Sequence, residues 1–216
     1  RDTKTVNVVS EITGSPADGY AVVKRVLNPT SVKATGPSSV IDNIDHAGIS
    51  FDVTGATADV TGTADIHLYD SDNNEINDSS VELTQTSVGY TAQVVRTKTV
   101  SVEVKTSGKP ADGYRVSGVT LNRDSVVVYG DINMLNSLDK IVIPASNINV
   151  DGLTESKTFK FVLTDYIDKS LSILDNQRIE VNVKIDTTIN KTITLDTSDI
   201  KVSGLETGMS YSFEDR

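Results

Sequence analysis

The sequence feature that most constrains this chain is an internal repeat with a period of 94 residues. Residues 3–6 read Thr-Lys-Thr-Val and recur as residues 97–100, and residues 16–20 read Pro-Ala-Asp-Gly-Tyr and recur as residues 110–114. At this offset, well over a third of the positions between Thr3 and Asp45 are identical without a gap. Self-similarity of this extent indicates a duplicated structural unit. The fold must therefore be one that forms within a small domain and joins end to end.

The repeat divides the chain into two complete units and a remainder. We expect a first unit over residues 1–95, a second over residues 96–186, and the start of a partial or divergent third repeat over residues 187–216. The remainder carries Lys-Thr-Ile at residues 191–193, as the earlier units open with Lys-Thr-Val, but it lacks the Ala-Asp-Gly-Tyr segment. A terminal appendage is the alternative for this remainder.

Past Asp45 the two units align with a shifted register, as expected where turns differ in length. Residues 52–55 (Asp-Val-Thr-Gly) align with residues 149–152 (Asn-Val-Asp-Gly). Three alternating residues of the first unit align with three of the second: Ala64, Ile66 and Leu68 with Phe159, Phe161 and Leu163.

Hydrophobic periodicity predicts a mainly β fold. Val100, Val102 and Val104 alternate with polar residues, which is the period-two pattern of a half-buried strand. Hydrophobic residues make up 37 % of the chain and tryptophan is absent, which suits small domains with thin cores. We predict tandem small β-rich domains, each with one short helix.

Each unit contains one helical pattern. In the first unit Pro37 suits the first helical turn, and Ile41 and Ile44 fall on one face. In the second unit Asp131 is placed to cap a helix. Its apolar face contains Met134, Leu135 and Leu138. A helix of two turns depends on burial, so we expect it to close one end of the β structure and to cover an open sheet edge.

The two units join without a Pro- or Gly-rich linker. The second unit ends in an alternating apolar run (Ile179, Val181, Val183 and Ile185), and the first ends in a weaker one that includes Ala92 and Val94. A strand is therefore predicted to continue from residue 94 to residue 100. We expect a fairly stiff array instead of loosely tethered domains.

Composition and charge exclude several classes of function. The 216 residues include 20 Lys and Arg against 30 Asp and Glu, a net charge of −10, which argues against a nucleic-acid partner. The chain has no cysteine, so disulfides, thiolate metal sites and cysteine nucleophiles are excluded. No stretch contains the roughly 18 apolar residues that a membrane-spanning helix needs, and no signal-peptide pattern opens the chain. We expect any membrane anchor to lie in a segment outside these residues.

The histidines and carboxylates form no recognisable catalytic set. His46 and His67 have no histidine counterpart in the second unit, and we interpret both as surface or strand-edge residues. Asp18 and Asp112 are equivalent turn residues one domain apart, too distant for an acid–base pair. The sequence contains no Gly-x-Ser-x-Gly elbow, phosphate-binding loop or dinucleotide fingerprint. We predict no catalytic, cofactor-binding or metal-binding residues, and no cofactor.

One acidic segment has the partial spacing of a calcium loop. Asp70, Asp72 and Asn74 occupy alternating positions, but Glu75 and Val81 stand where such a loop requires Gly and a bidentate Glu. An ordinary hairpin turn is the preferred interpretation.

The repeated tyrosines, Tyr20 and Tyr114, also have two interpretations. They are either aromatic contacts for a partner or anchors that pack the Ala-Asp-Gly turn onto the core. We favour the anchors, because a tyrosine ring buries a large apolar area.

The repeated segments resemble a YbbR domain. The resemblance rests on the opening Lys-Thr-Val strand, the Gly-x-Pro-Ala-Asp-Gly-Tyr turn, the Gly-Pro-Ser-Ser-Val segment at residues 36–40 with its helix, and the Asp-Val-Thr-Gly segment. It covers about residues 3–186. The second unit departs from it at residues 130–132 (Gly-Asp-Ile), which lack the proline.

This resemblance implies several β-rich repeats behind an N-terminal membrane helix, on the extracytoplasmic side of the cell membrane of Gram-positive bacteria. It implies regulation of a membrane-bound diadenylate cyclase, and thus of cyclic di-AMP synthesis, by protein contact and without catalysis. The fold is similar to a β-rich domain of a ribosomal protein that binds 5S RNA. The acidic charge argues against transferring RNA binding to this chain.

We therefore expect a non-catalytic extracytoplasmic binding and regulatory module whose partner is a membrane diadenylate cyclase. The alternative is a structural cell-surface spacer or adhesin-like stalk. An enzyme is the third hypothesis, and a bound metal or a deep polar pocket shared by both units would favour it.

Overall fold

The computed structural model describes residues 1–189 and, after them, residues 193, 201, 203, 204, 206–208, 210 and 212. Strands dominate this part of the chain. Each unit contains one short α-helix, α1 (Ser38–Ile41) in the first and α2 (Ile132–Ser137) in the second. The predicted mainly β fold, built from tandem β-rich units with one short helix each, is confirmed.

The strands divide between the two units as follows. The first unit contains β1 (Asp2–Thr13), β2 (Tyr20–Asn28), β3 (Ser31–Gly36), β4 (His46–Asp52), β5 (Val60–Asp65), β6 (His67–Tyr69), β7 (Glu75–Ile76), β8 (Glu82–Leu83) and part of β9 (Ser87–Val104). The second contains the rest of β9, β10 (Tyr114–Leu121), β11 (Ser125–Gly130), β12 (Lys140–Ile143), β13 (Lys157–Val162), β14 (Leu171–Ile173) and β15 (Arg178–Thr187). Two 3-10 helices of the second unit span Ala145–Asn147 and Leu163–Tyr166.

Each unit has one sheet built around its opening strand. In the first unit β1 pairs antiparallel with β3 and parallel with β4, in the order β7-β6-β4-β1-β3-β8. In the second unit β9 takes the place of β1, antiparallel to β11 and parallel to β12, in the order β12-β9-β11-β14. A second sheet surrounds the closing strand of each unit: β9 lies between β2 and β5, and β15 lies between β10 and β13. The two units thus share one topology.

One strand, β9, belongs to both units. Its residues 87–96 pair with β2 and β5, and its residues 97–104 pair with β11 and β12. The predicted continuation of a strand from residue 94 to residue 100 is confirmed. At about 3.3 Å per residue, the strand is roughly 60 Å long.

Each unit buries a separate core of aliphatic side chains. Val6, Ile44 and Val88 are among the fully buried residues of the first core, and Ile141 and Ile179 are among those of the second. The two cores share none of the residues that the structure describes. Within the part of the chain that the structure describes, no polar or charged residue is buried. Polar chemistry is therefore confined to the surfaces of the described residues.

The position of α1 differs from the sequence expectation. This helix connects β3 to β4, which flank β1 on opposite sides, and it contacts β1 and β3. The edge strands of this sheet are β7 and β8. The prediction that the helix covers an open edge is therefore wrong for the first unit, because the helix is the crossover between two inner strands.

The helix α2 confirms one expectation and corrects another. The Asp131 carboxylate accepts hydrogen bonds from the N–H groups of Asn133 at 2.9 Å and Met134 at 3.0 Å, so it caps the helix as predicted. Leu135 is buried, with 1 % of its surface exposed, whereas Met134 is 39 % exposed. The prediction that Met134 belongs to the buried face is wrong. Consecutive helical residues point about 100° apart, and in so short a helix only Leu135 is fully turned to the core.

The later alignment of the two units is also corrected. The Ile66 N–H donates to the Thr86 carbonyl at 2.9 Å, and the Leu163 N–H donates to the Gln177 carbonyl at 2.8 Å. Because Thr86 and Gln177 both lie just before the closing strands, Ile66 corresponds to Leu163 and not to Phe161. A shift of two residues preserves the alternation of a strand, so periodicity alone does not detect it. The segment that forms β6 in the first unit is a 3-10 helix in the second.

The remainder of the chain begins after β15, which ends at Thr187. Residues 191 and 192, where a third repeat is predicted to open, lie outside the described residues. The third repeat therefore stays a prediction. The helices found in the described part of the chain are too short to span a bilayer.

Candidate partner-binding surfaces

The two sequence motifs of each unit form one pair of loops. In the first unit three backbone N–H groups bond across the pair, from Val53 to Thr13 at 3.0 Å, Gly55 to Ser15 at 2.8 Å and Ala17 to Ala56 at 3.0 Å. The second unit has the same set, from Val150 to Ser107 at 2.8 Å, Gly152 to Lys109 at 2.9 Å and Ala111 to Leu153 at 3.2 Å. The predicted alignment of residues 52–55 with residues 149–152 is confirmed. These motifs are explained by backbone pairing within each unit.

Gly108 shows why the loop pair requires a glycine. Its φ angle is +85°, and a Cβ atom there would lie 2.4 Å from Oδ1 of Asp151. The same carboxylate accepts the Lys109 N–H at 2.8 Å. Gly14 occupies the equivalent place in the first unit, with a φ angle of +72°. A side chain at either position would displace the polar side chains beside it, Asp151 at Gly108 and Thr54 at Gly14.

In each unit the glycine of the Asp-Gly turn accepts a hydrogen bond from the residue that follows the strand partner of the repeated tyrosine. The Gly19 carbonyl accepts the Thr97 N–H at 2.7 Å, and the Gly113 carbonyl accepts the Thr188 N–H at 2.8 Å. Asp18 and Asp112 are exposed in these turns, as the interpretation as turn residues predicts.

The repeated tyrosines differ in their packing. Tyr114 is half-buried and packs against the core of the second unit, which confirms the anchor interpretation for this residue. Tyr20 is also half-buried and lies opposite Arg96 in the ladder between β2 and β9. For Tyr20 the anchor interpretation stays a prediction.

Both histidines lie on strands of the first unit. The His46 ring stacks on Tyr69 with centroids 5.3 Å apart, and its Nδ1 lies 3.0 Å from Oδ2 of Asp45. Nδ1 of His67 lies 2.7 Å from Oε1 of Glu75 on the neighbouring strand β7. His67 is exposed on β6, as the interpretation as a surface residue predicts, whereas His46 is half-buried at the start of β4, an inner strand of the sheet. The structure gives each histidine a different carboxylate partner.

The acidic segment at residues 70–74 is the turn of the β6–β7 hairpin, as preferred from the sequence. Oδ1 of Asp70 accepts the N–H groups of Asp72 at 2.9 Å and Asn74 at 2.8 Å, and Oδ2 accepts the Asn74 side-chain amide at 3.1 Å. The bonds from Asn74 lower the pKa of Asp70. The carboxylate of Asp70 therefore stabilises the turn itself.

An Asp-x-Ser turn recurs in both units, and the sequence interpretation missed it. Oδ1 of Asp78 accepts the Ser80 hydroxyl at 2.6 Å, and Oδ1 of Asp168 accepts the Ser170 hydroxyl at 2.6 Å. Each serine hydroxyl, together with the serine N–H, lowers the pKa of its aspartate. An apolar residue that leads into the next strand follows each turn, Val81 and Leu171. This shared pattern could have revealed the turn from the sequence, but its two copies are not separated by the 94-residue period of the main repeat.

In each unit a cleft lies between the helix and this Asp-x-Ser turn. The cleft of the first unit has a volume of about 590 Å³ and is acidic; its carboxylates are Asp42, Asp45, Asp70, Asp72 and Asp78. Lys4 also lines it, but its Nζ donates to the Ile44 carbonyl. The cleft of the second unit, the α2 cleft, has a volume of about 410 Å³ and is lined mainly by apolar residues: Met134, Leu138, Tyr166, Ile167 and Leu171, with Ser137, Asp165 and Asp168. The same place in the two units is thus an acidic cleft in the first and a mainly apolar cleft in the second.

A family model described as YbbR-like protein matches residues 6–84 and 100–185. The chain belongs to the YbbR-like protein family. The YbbR-like segments begin in the opening strands β1 and β9, and they end just after β8 and within β15. The resemblance inferred from the repeated motifs is confirmed.

Comparison with curated proteins finds a relative whose name describes a regulatory protein. The CdaA regulatory protein CdaR of Bacillus subtilis (strain 168) is 24 % identical over 201 residues, which is 91 % of this chain. The chain spans 39 % of the length of CdaR.

Two solved structures are similar to this YbbR-like chain. The solution structure of SuR18C from Streptococcus thermophilus has 18 % identity and a TM-score of 0.37, and the match covers 46 % of this chain and 93 % of that one. The crystal structure of a YbbR-like protein from Streptococcus pneumoniae TIGR4 has 15 % identity and a TM-score of 0.38, with 87 % and 96 % covered.

Proposed function

We propose that this chain is a non-catalytic regulatory module that acts by binding another protein. The observation that carries the proposal is the sequence similarity to CdaR, whose name describes a regulatory protein, across 91 % of the chain. Because the chain spans 39 % of CdaR, the regulatory activity of the whole relative is a proposal for this chain.

The surface chemistry supports a role in binding over one in catalysis. Groups with a lowered pKa, such as Asp52, Asp70 and Asp168, owe it mainly to hydrogen bonds within exposed turns. Perturbed carboxyls of catalytic sites are instead found in buried clefts with specific charge partners. The repeated motifs are engaged in backbone pairing, which leaves the clefts and the strand faces as the surfaces on which a partner could bind.

We further propose that the partner is a membrane-bound diadenylate cyclase and that contact takes place on the extracytoplasmic side of the membrane. The name of CdaR specifies regulation of CdaA, and the YbbR resemblance implies a cyclase partner outside the cytoplasm. In this proposal the anchor lies in a segment beyond the 216 residues.

Co-expression tests this function directly. The full-length protein that contains this chain is expressed with its membrane anchor beside a membrane-bound diadenylate cyclase, and cyclic di-AMP is measured. We expect nucleotide output to change when the protein is present. A matched control keeps the anchor and replaces the YbbR-like region with an unrelated β-sandwich domain of equal size. Equal output with both proteins would contradict the proposal.

A structural spacer is the second candidate, and β9 is the observation that favours it. This strand joins the two units without a linker, because residues 87–96 and 97–104 are paired in different units. A spacer predicts that insertion of one additional unit changes the reach of the protein from the membrane and leaves cyclic di-AMP output unaltered. A regulator predicts a change of output when the second unit is replaced by a copy of the first.

A further inference from the structure

The α2 cleft and its counterpart in the first unit occupy the same place in a duplicated fold. Both are bounded by the helix of the unit and by the Asp-x-Ser turn, with Asp78 in the first unit and Asp168 in the second. The helix and the Asp-x-Ser turn are common to both units, whereas the opposite wall is the β6–β7 hairpin in the first unit and a 3-10 helix in the second. The lining residues that differ between the two clefts are therefore the candidates for a specific binding role.

The apolar lining of the α2 cleft is accessible to a partner. Met134 is 39 % exposed and occupies the position of Val40, while Leu138 is half-buried where the equivalent Ile44 is completely buried. Tyr166 and Ile167 are half-buried and complete the wall. A concave group of accessible apolar side chains is typical of protein-binding sites, and a flexible methionine adapts to different apolar partners.

The rim of the α2 cleft is acidic. Asp165 and Asp168 are exposed and line it. The hydrogen bonds from Ser170 lower the pKa of Asp168, so this group is a carboxylate at neutral pH. Lys169 is adjacent in sequence but is not part of the lining. The whole chain carries a net charge of −10. A ligand that fills the cleft must therefore combine apolar side chains with positive charge, since opposite charges at the rim favour the correct partner.

We propose that the α2 cleft binds a segment of a partner protein in which one or two apolar side chains are flanked by Lys or Arg. The apolar side chains pack against Met134 and Leu138, and the basic groups pair with Asp165 and Asp168. The biological meaning rests on the proposed regulatory function, which this inference deepens by naming the contact surface.

Two methionines make the site observable by NMR. The chain contains Met134 and Met209 only, so in a sample labelled at the methionine methyl groups one of two signals belongs to Met134 in the α2 cleft. The probe is a synthetic peptide that alternates lysine and leucine, with one control peptide that carries glutamate for lysine and another that carries serine for leucine. We expect a saturable shift of the Met134 signal with the lysine–leucine peptide and no saturable shift with either control.

Substitutions then separate the apolar and the charged parts. Peptide affinity is measured by fluorescence anisotropy for Met134→Asn and for the double variant Asp165→Asn with Asp168→Asn. We expect about tenfold weaker binding for the first, which corresponds to about 1.4 kcal/mol, and weaker binding with a reduced salt dependence for the second. The matched controls are Val40→Asn and Asp78→Asn in the first unit, for which we expect less than about a twofold change.

The proposal is overturned if the cleft and control variants weaken binding equally, or if the Met134 signal does not respond to the peptide. A Met134 shift that depends on protein concentration without peptide would also overturn it, because it would identify a second copy of the chain as the occupant. Since no cyclase is present, failure here leaves the proposed regulation intact with a different contact surface.

Discussion

The carbonyl oxygen of Gly19 accepts a hydrogen bond from the N–H of Thr97 at 2.7 Å. This bond ties the Asp-Gly turn of the first unit to the residue at which β9 begins to pair with β11. The turn therefore contributes to the junction between the units, in addition to shaping its own loop.

Replacement of Thr97 by proline tests this junction. The variant Thr97→Pro removes the N–H group that donates to the Gly19 carbonyl, and it disturbs the strand pairing next to it. We expect a loss of about 1–3 kcal/mol in the free energy of unfolding, with faster amide hydrogen exchange in β2 and in β11. Thr188→Pro, which removes the equivalent bond to Gly113, is the matched variant and should affect only the second unit. An identical exchange pattern in both variants would argue against a role of the bond in the junction.

Substitution of two glycines in the second unit distinguishes the energetic cost of backbone strain from that of a steric clash. Gly113 has a φ angle of +84° and nothing within 4 Å of an added Cβ, whereas at Gly108 the added atom would meet Asp151. Gly113→Ala should cost about 1–2 kcal/mol, because an L side chain disfavours the left-handed region. Gly108→Ala should cost clearly more, since the Asp151 carboxylate that accepts the Lys109 N–H must also move. Urea unfolding of both variants measures the difference, and equal midpoints would contradict the loop-pair interpretation.

The cap of α2 should contribute measurably to stability. Asp131→Ala removes the carboxylate that accepts the N–H groups of Asn133 and Met134, and we expect a loss of about 1 kcal/mol. The helix of the first unit begins after Pro37, which makes no side-chain cap bond, so Pro37→Ala tests the same position without a cap. Thermal unfolding monitored by circular dichroism distinguishes the two, and no change in Asp131→Ala would contradict the prediction.

The stability of the chain should fall in acid. Hydrogen bonds from the Ser80 and Ser170 hydroxyls lower the pKa of Asp78 and Asp168 from the ordinary value of 3.8. A carboxyl with a lower pKa in the folded state contributes stability above the unfolded value, and this contribution is lost as the pH falls through the folded pKa. We therefore expect the melting temperature to decrease below about pH 4.

The variant Ser170→Ala keeps the Asp168 carboxylate and removes one of its hydrogen-bond donors. Its melting temperature should therefore depend less on pH than that of the wild type over the same range. Unaltered pH dependence in this variant would show that the turn does not contribute to acid sensitivity.

The repeat and the period-two patterns predicted most of the fold, because burial in a strand repeats along the sequence. Val100 and Val102 lie on β9 as expected, and Asp131 caps α2. The choice of strand partners was not predictable in this way. Periodicity reports which face is buried, but it does not report that opposite ends of β1 pair with β3 and β4.

The clefts were not predicted, and the reason is local geometry. Met134 looked like a core residue because it stands beside Leu135, but the short helix α2 turns Leu135 to the core and leaves Met134 39 % exposed. The replacement of the β6–β7 hairpin by the 3-10 helix Leu163–Tyr166 changes the opposite wall. Nothing in the residue pattern distinguished strand from 3-10 helix there, because Leu163 and Tyr166 are also compatible with a short strand.

The double membership of β9 limits where genetic recombination can exchange these units. A crossover within residues 87–96 would combine β2 and β5 with a foreign central strand, and one within residues 97–104 would do the same to β11 and β12. A seam between Arg96 and Thr97 divides neither set of ladders. Chimeras that are joined there should inherit two intact sheets. The peptide bond between Arg96 and Thr97 is therefore the point at which modules of this kind can be exchanged.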